Sequence, residues 1–293
     1  MLIESRPVKL TTRTGIEVRR TIPHAKLKMI GPWCFADHFG PTPQTDGMVV
    51  AAHPHTGLQT VTWLIEGAIE HRDSIGSIQR IEPGQLNLMT AGHGISHSEL
   101  SLTGPENLHA VQLWVALPEE ARHMLPQFEH QSELPQAQIG PAKLTILAGE
   151  LENLNAPTKI YSPMIGAEIF FEESGNLLLN LNANFEYGVL LVEGEAKIQN
   201  SEIPLSGLHY QPVGSSSLEI SATSGARMML LGGKPFEENI LMWWNFIGRN
   251  HDEIASAREQ WNGREERFGS FEDRIGGWIP APEMPNVTLK PNR

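Results

Sequence analysis

Positive charge, cysteine and membrane-length hydrophobicity are all scarce in this chain of 293 residues. A single cysteine, Cys34, excludes an intrachain disulfide and fits a reducing compartment. The 22 Lys and Arg residues against 34 Asp and Glu leave a net charge of −12. The basic residues are scattered, which argues against direct binding to a nucleic-acid backbone, since that needs a basic stripe. The small group Arg19, Arg20 and Lys26 is expected on a solvated face. The opening MLIESRPVKLTTRT has no apolar core of a signal sequence, and no apolar run approaches the roughly 18 residues of a membrane span. A soluble cytoplasmic protein with no membrane partner is expected, long enough for two domains with sizeable cores.

What the chain does have is two short clusters of metal-ligating residues, His53-Pro54-His55 and His97-Ser98-Glu99. Each has the form ligand-x-ligand, and in a strand the side chains at i and i+2 share a face. Two such strands side by side aim three imidazoles and one carboxylate at one point. Such a set suits Fe(II), Mn(II), Ni(II), Cu(II) or Zn(II), with coordination positions left for a substrate. One His-x-His alone equally fits an extended stretch ended by proline. The second cluster tips the balance, because an inward Glu without a partner costs several kcal/mol and a cation is the simplest compensation.

Around these clusters short β-branched or aromatic runs alternate with turn residues. Met48–His55, Leu58–Glu66, Ile78–Ile81, Leu86–Thr90, Ile95–Leu100 and Leu108–Leu117 read as strands. Residues 118–143, rich in Pro, Gln and Glu, read as a linker. Beyond it the pattern returns with Leu177–Leu181, Tyr187–Glu193, Ala196–Gln199, Ser217–Ser221 and Met228–Leu231. Closely spaced strands without helices between them predict barrels or sandwiches.

The turns Glu66-Gly67 and Glu193-Gly194 each end an apolar strand and suggest related halves. At the offsets of His53 and His55 from Gly67, the second half has Asn180 and Asn182, and it has no H-x-E; His209 stands alone as a loop or core residue. Near the end, Asn250 with Glu253 predicts a helix start, with Ile254, Ala257, Arg258 and Trp261 on one face and Gly263 as the stop. Trp243-Trp244 suits a packing contact, and the proline-rich tail IPAPEMPNVTLKPNR is expected to run extended across a surface.

Three segments, HPHTGLQTVTWLIEG at 53–67, IEHRDSIGSIQRIEPGQLNLMTAGHGISHSE at 69–99 and LHAVQLWVALP at 108–118, resemble the pirin family, a bicupin branch of the cupin superfamily. The likeness extends more loosely to GGKPF at 232–236. It implies an all-β chain of two cupin-type barrels and a C-terminal helix. The corresponding division is a metal-binding domain over 1–133, a metal-free domain over 134–237, and a helix and tail over 238–293 returning to the first. The family's metal ligands carry over as His53, His55, His97 and Glu99. Two positions depart from the family pattern: Gln59 stands where Glu is common, and His93 where Arg is common; His93 could act as a partner of a ligand.

Several bacterial pirins are similar to quercetin 2,3-dioxygenases, which open a flavonol ring with O2 and release carbon monoxide. The resemblance therefore implies a flavonol or related phenolic substrate, with Glu99 both ligand and proton acceptor and Fe(II) the first candidate metal ahead of Ni, Mn, Co, Cu or Zn. Other pirins are described as redox-responsive regulators that engage a protein partner, and the same four ligands serve that alternative. Phe35, His38, Trp63, Met89 and Trp114 are candidates for the pocket wall, though each also suits plain core packing. His24, His71 and His109 read as ordinary polar or core histidines.

Overall fold

The computed structural model describes residues 1–9, 17–43, 48–102, 107–274 and 276–291. Its contacts gather into two compact units that interleave along the chain. One comprises Met1–Val8, Arg19–His38 and Gln131–Phe236, the other Lys9–Val18, Phe39–His130 and Glu237–Arg293. The first 38 residues are therefore divided between the units, where a contiguous division would put them all with residues up to 133. Long-range contacts explain this: Leu2–Ile3 pairs with Leu208–His209, and the Trp33 indole N–H donates to the carbonyls of Ile165 (3.0 Å) and Gly232 (3.2 Å).

The unit built on Phe39–His130 contains the end of β1 (Trp33–Pro43) and β2 (Val49–His55), β3 (Leu58–Glu66), β4 (Ile69–Asp73), β5 (Ile78–Ile81), β6 (Leu86–Thr90), β7 (Ile95–Ser101), β8 (Asn107–Ala116) and β9 (Gln127–Gln131). One sheet includes the run β9-β6-β3-β8-β1, and the other has the order β2-β7-β4-β5. Side chains meet between them, as Trp114 of β8 lies edge-on to His55 of β2 and Phe128 of β9 stacks on His71 of β4. Residues 118–143 are not a linker: they hold β9, the strand Gln136–Ile139 and the start of β10 (Ala142–Ala148). In β9 every residue is half-buried, so no apolar alternation marks it. β4 is hidden for a related reason, since its inward positions after Ile69 are His71 and Asp73.

The other unit continues with β11 (Met164–Phe171), β12 (Gly175–Asn180), β13 (Glu186–Glu193), β14 (Ala196–Ile198), β15 (Ser201–Ile203), β16 (Leu208–Gln211), β17 (Ser217–Ala222) and β18 (Arg227–Gly233). One of its sheets includes the run β16-β13-β18-β11, and the other has the order β12-β17-β14-β15. Strand for strand these repeat β6-β3-β8-β1 and β2-β7-β4-β5, so the two barrels share one topology. Equal offsets from the Gly turns nevertheless mislead. Five residues separate β12 from β13 while only Thr56 and Gly57 separate β2 from β3. Asn180 and Asn182 are exposed, and the inward residues of β12 are Leu177 and Leu179, paired with Ile220 and Leu218 in an aliphatic core.

The helix α1 (His251–Asn262) starts where expected, the Asn250 side chain accepting from the Glu253 N–H at 3.0 Å, and Gly263 caps its end. Ile254, Ala257 and Trp261 are its buried face, in a cluster with Leu241, Phe246, Phe268 and Ala281; Trp243 and Trp244 pack against it. Arg258 instead reaches the Pro282 carbonyl. The tail runs extended along the edge of β2: Trp278 bridges Ala52, and the Ile279 N–H donates to the Ala52 carbonyl at 2.8 Å. This contact covers the edge of the strand at Ala52, next to His53. The last two residues of the tail lie outside the described ones.

Arg20 is not simply a solvated cation. It grips the buried carboxylate of Asp37 with two hydrogen bonds of 2.6 and 2.7 Å and lies 4.2 Å over the Phe35 ring. Removing one partner of a buried pair strands the other charge. Arg20→Ala should therefore lower stability by about 3 kcal/mol in urea unfolding, and Arg20→Met combined with Asp37→Leu should cost clearly less. Equal losses in the single and double variants would contradict this account.

Candidate metal centre

Three neighbouring strands each contribute an i, i+2 pair to the interior of the N-terminal barrel: His53 and His55 from β2, His97 and Glu99 from β7, and His71 and Asp73 from β4. The middle strand fixes the arrangement. His97 pairs with His53 on one side and with Asp73 on the other, and Glu99 pairs with His71. Side chains of directly paired residues share a face about 5 Å apart, so this register gathers all six. A bulge between His97 and Glu99 sets Glu99 opposite Val50 on β2, while pairing with β4 stays regular.

The ring centroids of His53 and His97 are 4.2 Å apart, and those of His55 and His97 5.0 Å. His55 Nε2 and His97 Nε2 approach to 3.1 Å. Ligating atoms of His53, His55 and His97 all lie within 4.8 Å of one another, as do those of His71, His97 and Glu99. The four residues selected by sequence are thus divided between two overlapping groups that share His97. His71, which reads in the sequence as an ordinary histidine, belongs to the cluster. So does Asp73, whose carboxylate accepts from His71 Nε2 at 3.0 Å. The signal was available, since His71-Arg72-Asp73 has the same spacing as the other two pairs.

Burial governs the electrostatics. Desolvation lowers the His53 pKa to about 4 and takes His55 and His97 well below the ordinary histidine value, with the neighbouring imidazoles adding to the effect for both. Three neutral rings therefore face one another. The His53 Nδ1–H donates to the Ala51 carbonyl at 2.9 Å, which leaves the Nε2 lone pair free to bind a cation. Burial raises the pKa of Glu99, against the opposing influence of His71 and the Thr62 hydroxyl. For Asp73 burial acts upward, but hydrogen bonds from His71 and Ser77 outweigh it and the net pKa is lowered.

These residues fit a metal ion. Two nitrogens bound at about 2.1 Å to one ion, at angles between square and tetrahedral, are about 3.0–3.4 Å apart. The 3.1 Å approach of His55 Nε2 to His97 Nε2 matches that spacing. Neutral imidazoles are the form that binds, and Glu99 offers a charge to offset the cation.

Strand alternation sorts the expected wall residues. Thr62 reaches Glu99 at 3.5 Å and Gln112 at 2.9 Å, so the even-numbered face of β3 looks inward. Asn87 and Met89 of β6 and Gln112 and Trp114 of β8 pair with Thr62 and Thr60 and share that face. Met89 and Trp114 therefore line the site, whereas Gln59 and Trp63 point to the opposite side of β3, where Gln59 donates to Thr90 at 2.9 Å. His93 sits on the turn before β7, its Nδ1 on the Met124 carbonyl at 3.1 Å. Phe35 and His38 belong to the other unit, where Phe35 lies under Arg20 and His38 Nδ1 is 2.7 Å from Ser206 Oγ. No apolar alternation marks Phe128 and His130, which β9 turns inward against His71 and Asn87.

The chain is similar to several known proteins. The pirin family model matches residues 15–115, and a model described as the pirin C-terminal cupin domain matches residues 166–269. A Pseudomonas aeruginosa protein named "putative quercetin 2,3-dioxygenase" is 44% identical over 273 residues, covering 92% of this chain and 87% of its own. A crystal structure of quercetin 2,3-dioxygenase from Acinetobacter baumannii superimposes with a TM-score of 0.95 at 39% identity, covering 100% of this chain and 98% of that one. A bacterial pirin from Escherichia coli in complex with nickel(II) shares the fold, with a TM-score of 0.63 at 19% identity, covering 80% of this chain and 99% of that one.

The cluster generates a direct test. His55→Ala and His97→Ala should each lose most of the bound metal while keeping a folded barrel, whose stability comes mainly from apolar burial. Elemental analysis that still found about one metal per chain in both variants would show that these imidazoles are not ligands.

Proposed function

The chain belongs to the pirin family, and from that premise we propose that it is a metal-dependent dioxygenase that opens a flavonol such as quercetin with O2 and releases carbon monoxide. Glu99 carries this reading: it is a carboxylate made more basic by burial, set beside the imidazole cluster. Two relatives point the same way, one named a quercetin 2,3-dioxygenase and the other a putative one.

His53, His55, His97 and Glu99 would hold one divalent transition ion, Fe(II) being the first candidate. When bound, that ion supplies Lewis acidity toward a phenolic oxygen and a place for O2 chemistry. The protein's own groups do the rest. His53, His55 and His97 are buried, while Glu99, Gln112, Phe128 and His130 are half-buried, so a substrate would enter from the side of the latter four. Trp114, Met89 and Phe128 offer apolar surface to a planar ring, and Thr62, Gln112, Asn87 and His130 offer hydrogen bonds to its hydroxyls. The flavonol 3-hydroxyl would give its proton to the Glu99 carboxylate, leaving an electron-rich enolate for attack by O2. The Thr62 hydroxyl, between Gln112 and Glu99, can follow that change of charge by turning its single proton.

Protein reconstituted anaerobically with Fe(II), Mn(II), Co(II) or Ni(II) should bleach quercetin once O2 is admitted, with carbon monoxide in the headspace. Glu99→Gln keeps an oxygen donor but removes basicity, and should retain much of the metal while losing roughly 10²–10⁴-fold in turnover. Absence of carbon monoxide from wild type loaded with every one of these metals would sink the dioxygenase reading in favour of a non-catalytic regulator that engages a protein partner.

A further inference from the structure

Each imidazole that binds a metal through one nitrogen must place its other nitrogen somewhere, and for His97 that place is unusual. His97 Nε2 lies 3.1 Å from His55 Nε2, and His97 Nδ1 lies 3.3 Å from Nδ1 of a further histidine, His71. We propose that His71 and Asp73 are positioning residues that lock His97 in the tautomer whose Nε2 lone pair faces His53 and His55. This rests on the metal reading of the site given above.

The proton positions follow in one direction from Asp73. One carboxylate oxygen of Asp73 accepts backbone N–H groups of Ile75 at 3.1 Å and Ser77 at 2.9 Å, which orients the group from the turn after β4. Its other oxygen is 3.0 Å from His71 Nε2. An ionised carboxylate only accepts, so the proton sits on His71 Nε2. The relay requires His71 to be the neutral imidazole, which has one N–H, so that its Nδ1 is a bare acceptor. Its contact with His97 Nδ1 is a hydrogen bond only if His97 Nδ1 carries the proton, and His97 Nε2 is then the lone pair. Stacking of the His71 ring on Phe128, with centroids 4.5 Å apart and planes at 19°, fixes the ring that transmits this choice. His53 has its Nδ1 on a backbone carbonyl directly, whereas His97 is held by a two-residue relay. The rival arrangement makes His71 itself a ligand with His97 and Glu99, which lie within the same 4.8 Å limit.

His71→Asn separates the two. Its Oδ1 replaces the acceptor at Nδ1 but cannot stand in for an imidazole ligand. Full-length apoprotein would be titrated with Ni(II) by calorimetry, with circular dichroism as the check on folding. Wild type should take one ion per chain. His71→Ala should bind about 10–100-fold more weakly with the same stoichiometry, the usual effect of removing such a partner, and His71→Asn should stay within a few-fold of wild type. Unchanged affinity in His71→Ala overturns the proposal. Loss in both variants as complete as in His97→Ala also overturns it and makes His71 a ligand. Should His71→Ala fail to fold, nitrogen-15 spectra of wild-type His97 decide the matter: protonated Nδ1 supports the relay and protonated Nε2 rejects it. Failure of wild type to bind Ni(II) would count against the metal reading, while the same spectra would still judge the His97 tautomer.

Discussion

Register between β7 and its two neighbours is the constraint on which the site depends. His97 is paired with His53 on one flank and Asp73 on the other, and all three point inward only in that alignment. A slip of one residue in either ladder would turn an entire set of ligating groups out of the barrel. The ladder toward β2 is irregular between His97 and Glu99, while the unbroken ladder toward β4 sets Glu99 opposite His71. The outer edge of β2 is fixed in turn by the tail, whose hydrogen bond to Ala52 is adjacent in sequence to His53.

Burying this many polar rings is unfavourable unless each finds a partner, and the barrel supplies them in layers. His53 uses a backbone carbonyl, His97 uses His71, and His71 uses Asp73, which is anchored by turn amides. Desolvation favours the neutral form of the clustered histidines and makes Glu99 reluctant to ionise. A divalent cation would relieve both conditions together, because it takes up the lone pairs and offsets the carboxylate. The same low polarity that makes burying the cluster costly would strengthen its hold on an ion.

The second barrel shows what the fold does without that cost. It repeats the strand order, yet Leu177, Leu179, Leu218 and Ile220 fill the corresponding interior with aliphatic side chains. One topology thus supports a polar centre and a plain core, and the difference lies in a few inward positions rather than in the architecture.

Periodicity and spacing were enough to establish the all-β class, most strands, the cap at Asn250 and the two strongest pairs, His53 with His55 and His97 with Glu99. These are local properties: the i, i+2 rule and the capping hydrogen bond involve residues near one another in the chain. The tertiary structure alone decided the rest, because it depends on which strands become neighbours. It joined β4 to β7 and so brought His71 and Asp73 into the cluster, and it made a strand of the half-buried β9 that turns Phe128 and His130 inward. It also showed Gln59 and Trp63 on the outer face of β3, and Asn180 and Asn182 outside the second barrel. Side-chain direction there follows from cross-strand register and loop length, and neither can be counted from a single segment of sequence.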